Sequence, residues 1–269
     1  MIDDFLVRWH LTPDGEALTT RTSILVPVRH QRLPAMLKVA TEAEERRGAE
    51  SMVWWSGDGA ACVLAHEDSA LLMERAEGAA SLVELARNGR DDEASRIMCM
   101  VAARLHAPRN TALPPSLVPL TRWFAELAPA ASRYGGILRQ AEETARELLA
   151  EPRDVVVLHG DIHHGNILDF GPRGWLAIDP KHLVGERGFD FVNILRNPDT
   201  QIALATGRFA RQATVIAEAA HLNRERLLQW TLAFGGLSAA WILADGDEPK
   251  LDLAVAALAA AELTRVAGR

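Results

Sequence analysis

Two short apolar runs joined by a polar stretch constrain this chain more than any other feature. Val155-Val156-Val157-Leu158 reads as a β-type segment and leads into His159-Gly160-Asp161-Ile162-His163-His164-Gly165-Asn166, after which Ile167-Leu168 resumes the apolar character. A second segment, Trp175-Leu176-Ala177-Ile178, ends on Asp179, thirteen positions after Asn166. Two β-type segments therefore carry polar residues at their ends. Asp161 can accept a proton, and Asn166 and Asp179 can offer oxygens to a hard cation. A base beside a divalent cation is the equipment of phosphoryl transfer, where catalysis is mostly positioning and charge neutralisation. Two other readings stand beside this one. His-Gly-Asp is also an ordinary turn, since Gly and Asp suit turns on their own. Three histidines and an aspartate within six positions also suit zinc, because imidazole favours it. The zinc reading leaves Asn166 and Asp179 without work.

At 269 residues the chain is long enough for one large domain or two small ones. Its 48% hydrophobic and 24% charged residues are ordinary for a globular protein with a full core. A net charge of −7 argues against nucleic acid as partner, which prefers a basic face, and is compatible with a cationic substrate. Cys62 and Cys99 are too few for a disulfide framework, so a cytoplasmic setting is expected. Met1-Ile2-Asp3-Asp4 has neither a basic nor an apolar leader region. The longest apolar stretch, 230–244, falls short of the roughly 20 residues that cross a bilayer, and Gly235, Gly236 and Ser238 interrupt it. It reads as a buried core helix, with no membrane partner.

Residues 5–75 read mostly as β. Strands are expected at 24–28, 35–40, 61–65 and 70–74, with one helix at 42–55 that Ser56-Gly57-Asp58-Gly59 stops. The loop Leu18-Thr19-Thr20-Arg21-Thr22-Ser23 is rich in hydroxyls and has no glycine. From Glu77-Gly78 the chain reads helical. Ser81 can cap a helix that runs to Arg87 and ends at Asn88-Gly89. Asp91-Asp92 opens the next, in which Ala94, Ile97, Met98, Val101 and Leu105 form one apolar stripe. Further helices are expected at 120–132, 136–150, from Phe189 onward, and at 201–220, 224–244 and 251–266, with Gly185-Glu186-Arg187-Gly188 as a loop.

The gap between His159-Gly160-Asp161 and Asn166 is the four-residue gap of the kinase catalytic loop, H-R-D-x-x-x-x-N. A lysine in the third strand ahead of an acidic helix matches a kinase small lobe. With Pro34-Ala35-Met36-Leu37-Lys38-Val39-Ala40, 54–60, 71–76, Ala103-Arg104-Leu105-His106-Ala107-Pro108, 158–170, Gly174 to Pro180 and Gly236-Leu237-Ser238-Ala239-Ala240-Trp241, the chain resembles the aminoglycoside phosphotransferases, most closely their streptomycin 6-phosphotransferase and hydroxyurea resistance branch. The likeness spans nearly the whole chain. It implies an α+β, two-lobed protein-kinase-like fold. Residues 1–76 would be a small β-rich nucleotide-binding lobe, and 77–269 a larger, mainly α-helical catalytic and substrate-binding lobe.

The resemblance also implies roles. Asp161 resembles the catalytic base, and Asn166 and Asp179 the Mg2+ ligands. Lys38 resembles the contact to the α and β phosphates of ATP. Glu42, Glu44, Glu45 and Glu50 share the acidic helix, and the register set by Gly48 and Trp54 favours Glu45 as the partner of Lys38. Glu74, Arg75 and Ala76 resemble the hinge whose backbone bonds adenine. His159 and Asp190 resemble supports of the catalytic loop. The implied activity is transfer of phosphate from ATP to the 6-hydroxyl of streptomycin, by a cytoplasmic monomer. Substrate-binding acids are not assigned; Glu186, Asp199, Asp245, Asp247 and Glu248 are candidates. Two features depart from the family pattern: the phosphate loop has no glycine, and Pro180-Lys181 follows Asp179 where protein kinases have Phe-Gly. The rivals are a housekeeping small-molecule kinase of the same fold and a non-catalytic kinase-like binding module.

Overall fold

A period-two alternation builds the first part of the chain. The computed structural model describes residues 2–267, the side chains of 43, 44 and 267 excepted, so Glu44 lies outside the described side chains. Helix α1 (Ile2–Arg8) is followed by strands β1 (Thr12–Pro13), β2 (Leu18–Thr19), β3 (Ser23–His30) and β4 (Leu33–Ala40). Helix α2 (Ala43–Trp55) and strands β5 (Val63–Glu67) and β6 (Ala70–Glu74) complete it. The sheet runs β1-β3-β4-β6-β5, with β2 also on β3, and its pairs are antiparallel. Val26, Val28, Ala35, Leu37, Val39 and Leu72 face one side and form a small core with Phe5 and Leu11 of the N-terminal segment. Because successive strand residues point to opposite faces, Lys38, between Leu37 and Val39, is turned to the other side. There α2 packs through Ala49, Met52 and Trp55.

The rest is mainly helical. It comprises α3 (Leu82–Arg87), α4 (Asp91–Leu105), β7 (Val118–Pro119), α5 (Leu120–Trp123), α6 (Leu127–Tyr134) and α7 (Gly136–Ala150). Four short strands follow: β8 (Val155–Leu158), β9 (Ile167–Asp169), β10 (Trp175–Ala177) and β11 (Leu183–Glu186). Then come a 3₁₀ turn, Arg187–Phe191, and α8 (Val192–Arg196), α9 (Thr200–Ala203), α10 (Arg208–Ala219), α11 (Arg224–Ala244) and α12 (Lys250–Ala267). This is the expected α+β fold of two lobes. The larger core runs from Met52, Trp55 and Met73 into the helical part, so the division after residue 76 stands as a proposal.

Several elements differ from the sequence reading. Residues 2–8 are helical; Asp3 and Asp4 in the first turn and Arg8 in the last suit a helix dipole. The helix expected at 120–132 is two, because Pro129 fits only a first helical turn and α6 restarts at Leu127 to place it there. The helix expected at 201–220 is also two, broken where Gly207 takes a φ of 75° ahead of α10. The 185–188 loop is the end of β11 and the start of the 3₁₀ turn.

Helix α11 is 21 residues long, and by length and composition it could cross a membrane. It is buried instead, against α7 and α12: a Cβ on Gly236 would lie 2.4 Å from Ala141 Cβ, and one on Gly235 3.0 Å from Ala256 Cβ. The glycines let the three helix backbones approach.

Candidate active site

The site is held by two strand pairs. In the β9–β10 hairpin Ile167 faces Ala177, and the ladder extends one step to Ile178, whose N–H donates to the Asn166 carbonyl at 2.9 Å. Asn166 and Asp179 are thereby brought to the same end of the hairpin. In the second pair Leu158 faces Leu183, and the Lys181 N–H donates to the His159 carbonyl at 2.7 Å. This ties the segment after Asp179 to the loop before Asp161.

Asp190 braces that loop. Its Oδ2 accepts the His159 N–H at 2.9 Å and its Oδ1 the Gly160 N–H at 2.6 Å. His106 Nε2 lies 2.7 Å from Oδ2. His159 Nε2 donates to the Ile178 carbonyl at 2.8 Å, and Nδ1 accepts the Asp161 N–H at 3.2 Å. Burial holds its pKa below the ordinary histidine value, which suits the neutral ring that accepts at one nitrogen and donates at the other. The ring lies nearly parallel to Trp55, at 6.2 Å.

The Asp161 carboxylate is clamped by two amides. Asn166 Nδ2 donates to its Oδ2 at 3.3 Å and to its carbonyl at 3.0 Å, and Asn193 Nδ2 donates to its Oδ1 at 2.9 Å. With its nitrogen committed, Asn166 presents its amide oxygen elsewhere. That oxygen and the Asp179 carboxylate at the same hairpin end are hard donors of the kind Mg2+ takes. The donor set fits this ion. The three imidazoles do not gather as zinc would require. His159 is engaged as described, His164 is buried with Nε2 3.7 Å from Asp91, and His163 Nδ1 accepts the Gly165 N–H at 3.0 Å.

Lys38 is 8% exposed and bonds both Glu45 and Asp179. Among the described side chains, Glu45 is thus the acid of α2 that meets Lys38. Burial alone would raise the Asp179 carboxyl, but the charge and hydrogen bond of Lys38, with Lys181 nearby, hold it below the usual carboxylate range. Lys38, Glu45 and Asp179 line a cavity of about 340 Å³ that reaches from the Thr20–Ser23 turn to Met73. Of the segment expected to bond adenine, neither Glu74 nor Ala76 lines this cavity, whose lining ends at Met73 directly before them. The Glu74 carboxylate accepts the Cys62 N–H at 2.6 Å and binds Arg173.

A second cavity, of about 670 Å³, is lined by Gly160, Asp161 and Asn193. Trp123, Phe234 and Trp241 wall it, Trp123 meeting Trp241 edge-on at 5.3 Å. Among the acids that the sequence offered for substrate, Asp245 lines it. Glu186 is buried in an ion pair with Arg226, Asp199 caps α9 and pairs with Arg87, and Glu248 pairs with Lys250. Sequence reasoning missed Asn193 and Glu126, both at this cavity. Asn193 stands three residues after Asp190, the one signal that could have drawn it in.

The comparisons with known proteins bear on this arrangement. A family model described as aminoglycoside/hydroxyurea antibiotic resistance kinase matches residues 8–246. The chain is 50% identical to a streptomycin 3''-kinase of Klebsiella pneumoniae, over 94% of this chain and 97% of the relative. It is 33% identical to a streptomycin 6-kinase of Streptomyces griseus, over 89% and 81%. Among solved structures, a choline/ethanolamine kinase family protein from Mesorhizobium loti superposes with a TM-score of 0.68 at 16% identity, over 98% of this chain and 97% of that one. A thermostable mutant of aminoglycoside phosphotransferase APH(4)-Ia, in ternary complex with ADP and hygromycin B, gives 0.65 at 14% identity, over 98% and 96%. The fold is therefore the protein-kinase-like one that the sequence led us to expect, and the chain belongs to the aminoglycoside/hydroxyurea antibiotic resistance kinase family.

Proposed function

We propose that this chain transfers the γ-phosphoryl group of ATP to a hydroxyl of streptomycin and so inactivates it. The observation that carries the reading is the placement of Asp161. Its carboxylate is clamped by Asn166 and Asn193, and Asp161 lines the larger cavity, while Lys38, Glu45 and Asp179 line the neighbouring one. In this reading the acceptor hydroxyl lies against Asp161. The bond from the acceptor oxygen to phosphorus forms as the bond to the bridging oxygen of ADP breaks; ADP leaves with the electron pair, and Asp161 takes the hydroxyl proton. The two amides fix the carboxylate in the orientation that this requires. Lys38 holds the α and β phosphates, with Glu45 fixing its ammonium. Asn166 and Asp179 would hold Mg2+, which when bound supplies neutralisation of phosphate charge. The hinge of Glu74, Arg75 and Ala76 as adenine contact, the boundary after residue 76, and a cytoplasmic monomer belong to the same proposal.

Streptomycin carries two guanidinium groups. A guanidinium is a planar fork that a carboxylate meets with two parallel hydrogen bonds. Glu126 and Asp245 on the cavity rim are the acids we assign to them. The position phosphorylated is the finer question. The sequence reading expects the 6-hydroxyl, and the relatives named 6-kinases, at 33% and 32% identity, favour it. The relative at 50% identity over 97% of its length is named a 3''-kinase, and on that weight we assign the 3''-hydroxyl. The test is incubation with magnesium-ATP and streptomycin, kanamycin, gentamicin and hydroxyurea, followed by mass and NMR analysis. A gain of one phosphate on streptomycin at the 3'' position is expected. Phosphate at the 6 position would overturn the assigned position. No product from streptomycin, with turnover of another small alcohol, would hand the case to the housekeeping kinase.

A further inference from the structure

Among the described residues, Lys181 alone lines both cavities. Its place is set by backbone and packing. Its N–H is held on the His159 carbonyl at 2.7 Å, and a Cβ on Gly160 would lie 3.0 Å from Lys181 Cβ, so the residue rests on the loop one position before Asp161. Its side chain reaches α2, where Nζ donates to Glu45 Oε1 at 3.2 Å while Glu45 Oε2 binds Lys38. The approach of α2 is close: a Cβ on Gly48 would lie 2.3 Å from the Pro180 carbonyl oxygen. One buried carboxylate thus holds two lysines, Lys38 at the nucleotide cavity and Lys181 where that cavity meets the acceptor cavity.

We propose that Lys181 is a further catalytic residue: its ammonium contacts the phosphoryl group as it passes from the nucleotide to the acceptor hydroxyl. The inference rests on the kinase reading given above. During transfer the bond from phosphorus to the ADP oxygen breaks before the new bond is complete, and charge spreads over three equatorial oxygens. A cation fixed between the cavities by its seat on Glu45, its side chain 21% exposed, meets that charge with little reorganisation. An ammonium has three donors that turn about its stem, so it can bond phosphate oxygens alongside its protein partners. Lys181 stays protonated throughout; the acceptor proton goes to Asp161. The rival is that Lys181 only ties Glu45 in place for Lys38. That role would show as weakened ATP binding that excess ATP overcomes.

The test compares wild type with Lys181→Met, Lys181→Arg and Lys181→Ala, measuring kcat, both KM values, ADP affinity by calorimetry and the thermal midpoint. Lys181→Met is expected to lower kcat by about 10²–10³-fold, the usual loss for one charge-stabilising donor, with both KM values and ADP affinity within about threefold of wild type. Lys181→Arg should keep part of the rate, and ethylammonium should restore part of the rate of Lys181→Ala. A kcat for Lys181→Met within about threefold of wild type at saturating substrates, or a loss that rising ATP recovers, overturns the proposal. So does a folded Lys181→Ala that no amine rescues. If the wild type itself phosphorylates none of the tested alcohols, the proposed function fails instead. Lys181 is then judged on slow ATP hydrolysis, where water replaces the acceptor and the same drop is expected.

Discussion

Replacing Asp190 by alanine separates the scaffold of the catalytic loop from its chemistry. Asp190 is 1% exposed and takes three hydrogen bonds, two of them from the backbone N–H groups of His159 and Gly160. In Asp190→Ala both N–H groups stay buried without an acceptor, and each such orphan costs about 1–3 kcal/mol. Removing a desolvated carboxylate returns part of this, since burying a charge is itself expensive. A net loss of about 2–4 kcal/mol is expected, a large share of the roughly 5–15 kcal/mol that holds a domain folded. With a urea slope of about 3 kcal/mol per M, the midpoint should fall by about 1 M. Turnover should fall as well, because Asp161 is the residue after Gly160, and a displacement of about 1 Å at a reacting centre can cost about 10²-fold. The assay is urea unfolding followed by tryptophan fluorescence, for which Trp55 and Trp230 are buried reporters, alongside phosphate transfer. Asp161→Asn is the control: about wild-type stability with little turnover. Asp190→Asn should fall between, since the amide keeps one acceptor oxygen but points a donor at one N–H. A midpoint for Asp190→Ala within about 0.2 M of wild type would falsify the bracing argument.

Three further outcomes are expected. Asp161→Ala should fold normally and lose about 10²–10⁴-fold in turnover, the usual worth of a positioned base; near-normal turnover removes Asp161 from the mechanism. EDTA should abolish transfer and Mg2+ restore it, with Asp179→Asn more damaging than Asn166→Ala because it removes a charge as well as a ligand; restoration by zinc alone would revive the histidine reading. For Asp91, burial by itself would raise the carboxyl, but His164 at 3.7 Å and the Arg208 fork at 2.8 and 3.2 Å bring it from 3.8 down to about 2. Its folded pKa lies below its unfolded one, so its contribution, about 2 kcal/mol, is present above about pH 4 and is lost as pH falls toward about 2. The stability gap between wild type and Asp91→Asn should close over that interval, and a gap independent of pH would refute it.

What the sequence made legible follows from how the site is built. Asp161, Asn166 and Asp179 sit within nineteen consecutive positions, where local spacing and strand ends carry the information. Lys38 was legible only from its place in the order of elements, a lysine in the third strand ahead of an acidic helix; the structure adds that Leu37 and Val39 on either side of it face the small core. Glu45 could be chosen among four acids from the register set by Gly48 and Trp54, and the structure shows Gly48, one helical turn later, on the face of α2 that meets Pro180. The larger cavity was hardly legible. Its wall is assembled from Trp123, Phe234 and Trp241, and its rim acids, Glu126 and Asp245, stand 119 positions apart. Each looks like an ordinary core aromatic or surface acid until folding places them around one cavity. Asn193 and Lys181 escaped for a related reason. An amide entering a helix and a lysine after a proline carry no chemistry of their own. They acquire it only because the pairing of β8 with β11, and the turn that follows β11, aim them at Asp161 and Glu45. Substrate choice in this family should therefore be sought where the chain is least readable. On the function proposed above, exchange of Glu126 or Asp245 for glutamine should change the ratio of kcat/KM for streptomycin to that for kanamycin, while the roles proposed for Lys38, Asp161, Asn166 and Asp179 stay the same; an unchanged ratio would remove both acids from substrate choice.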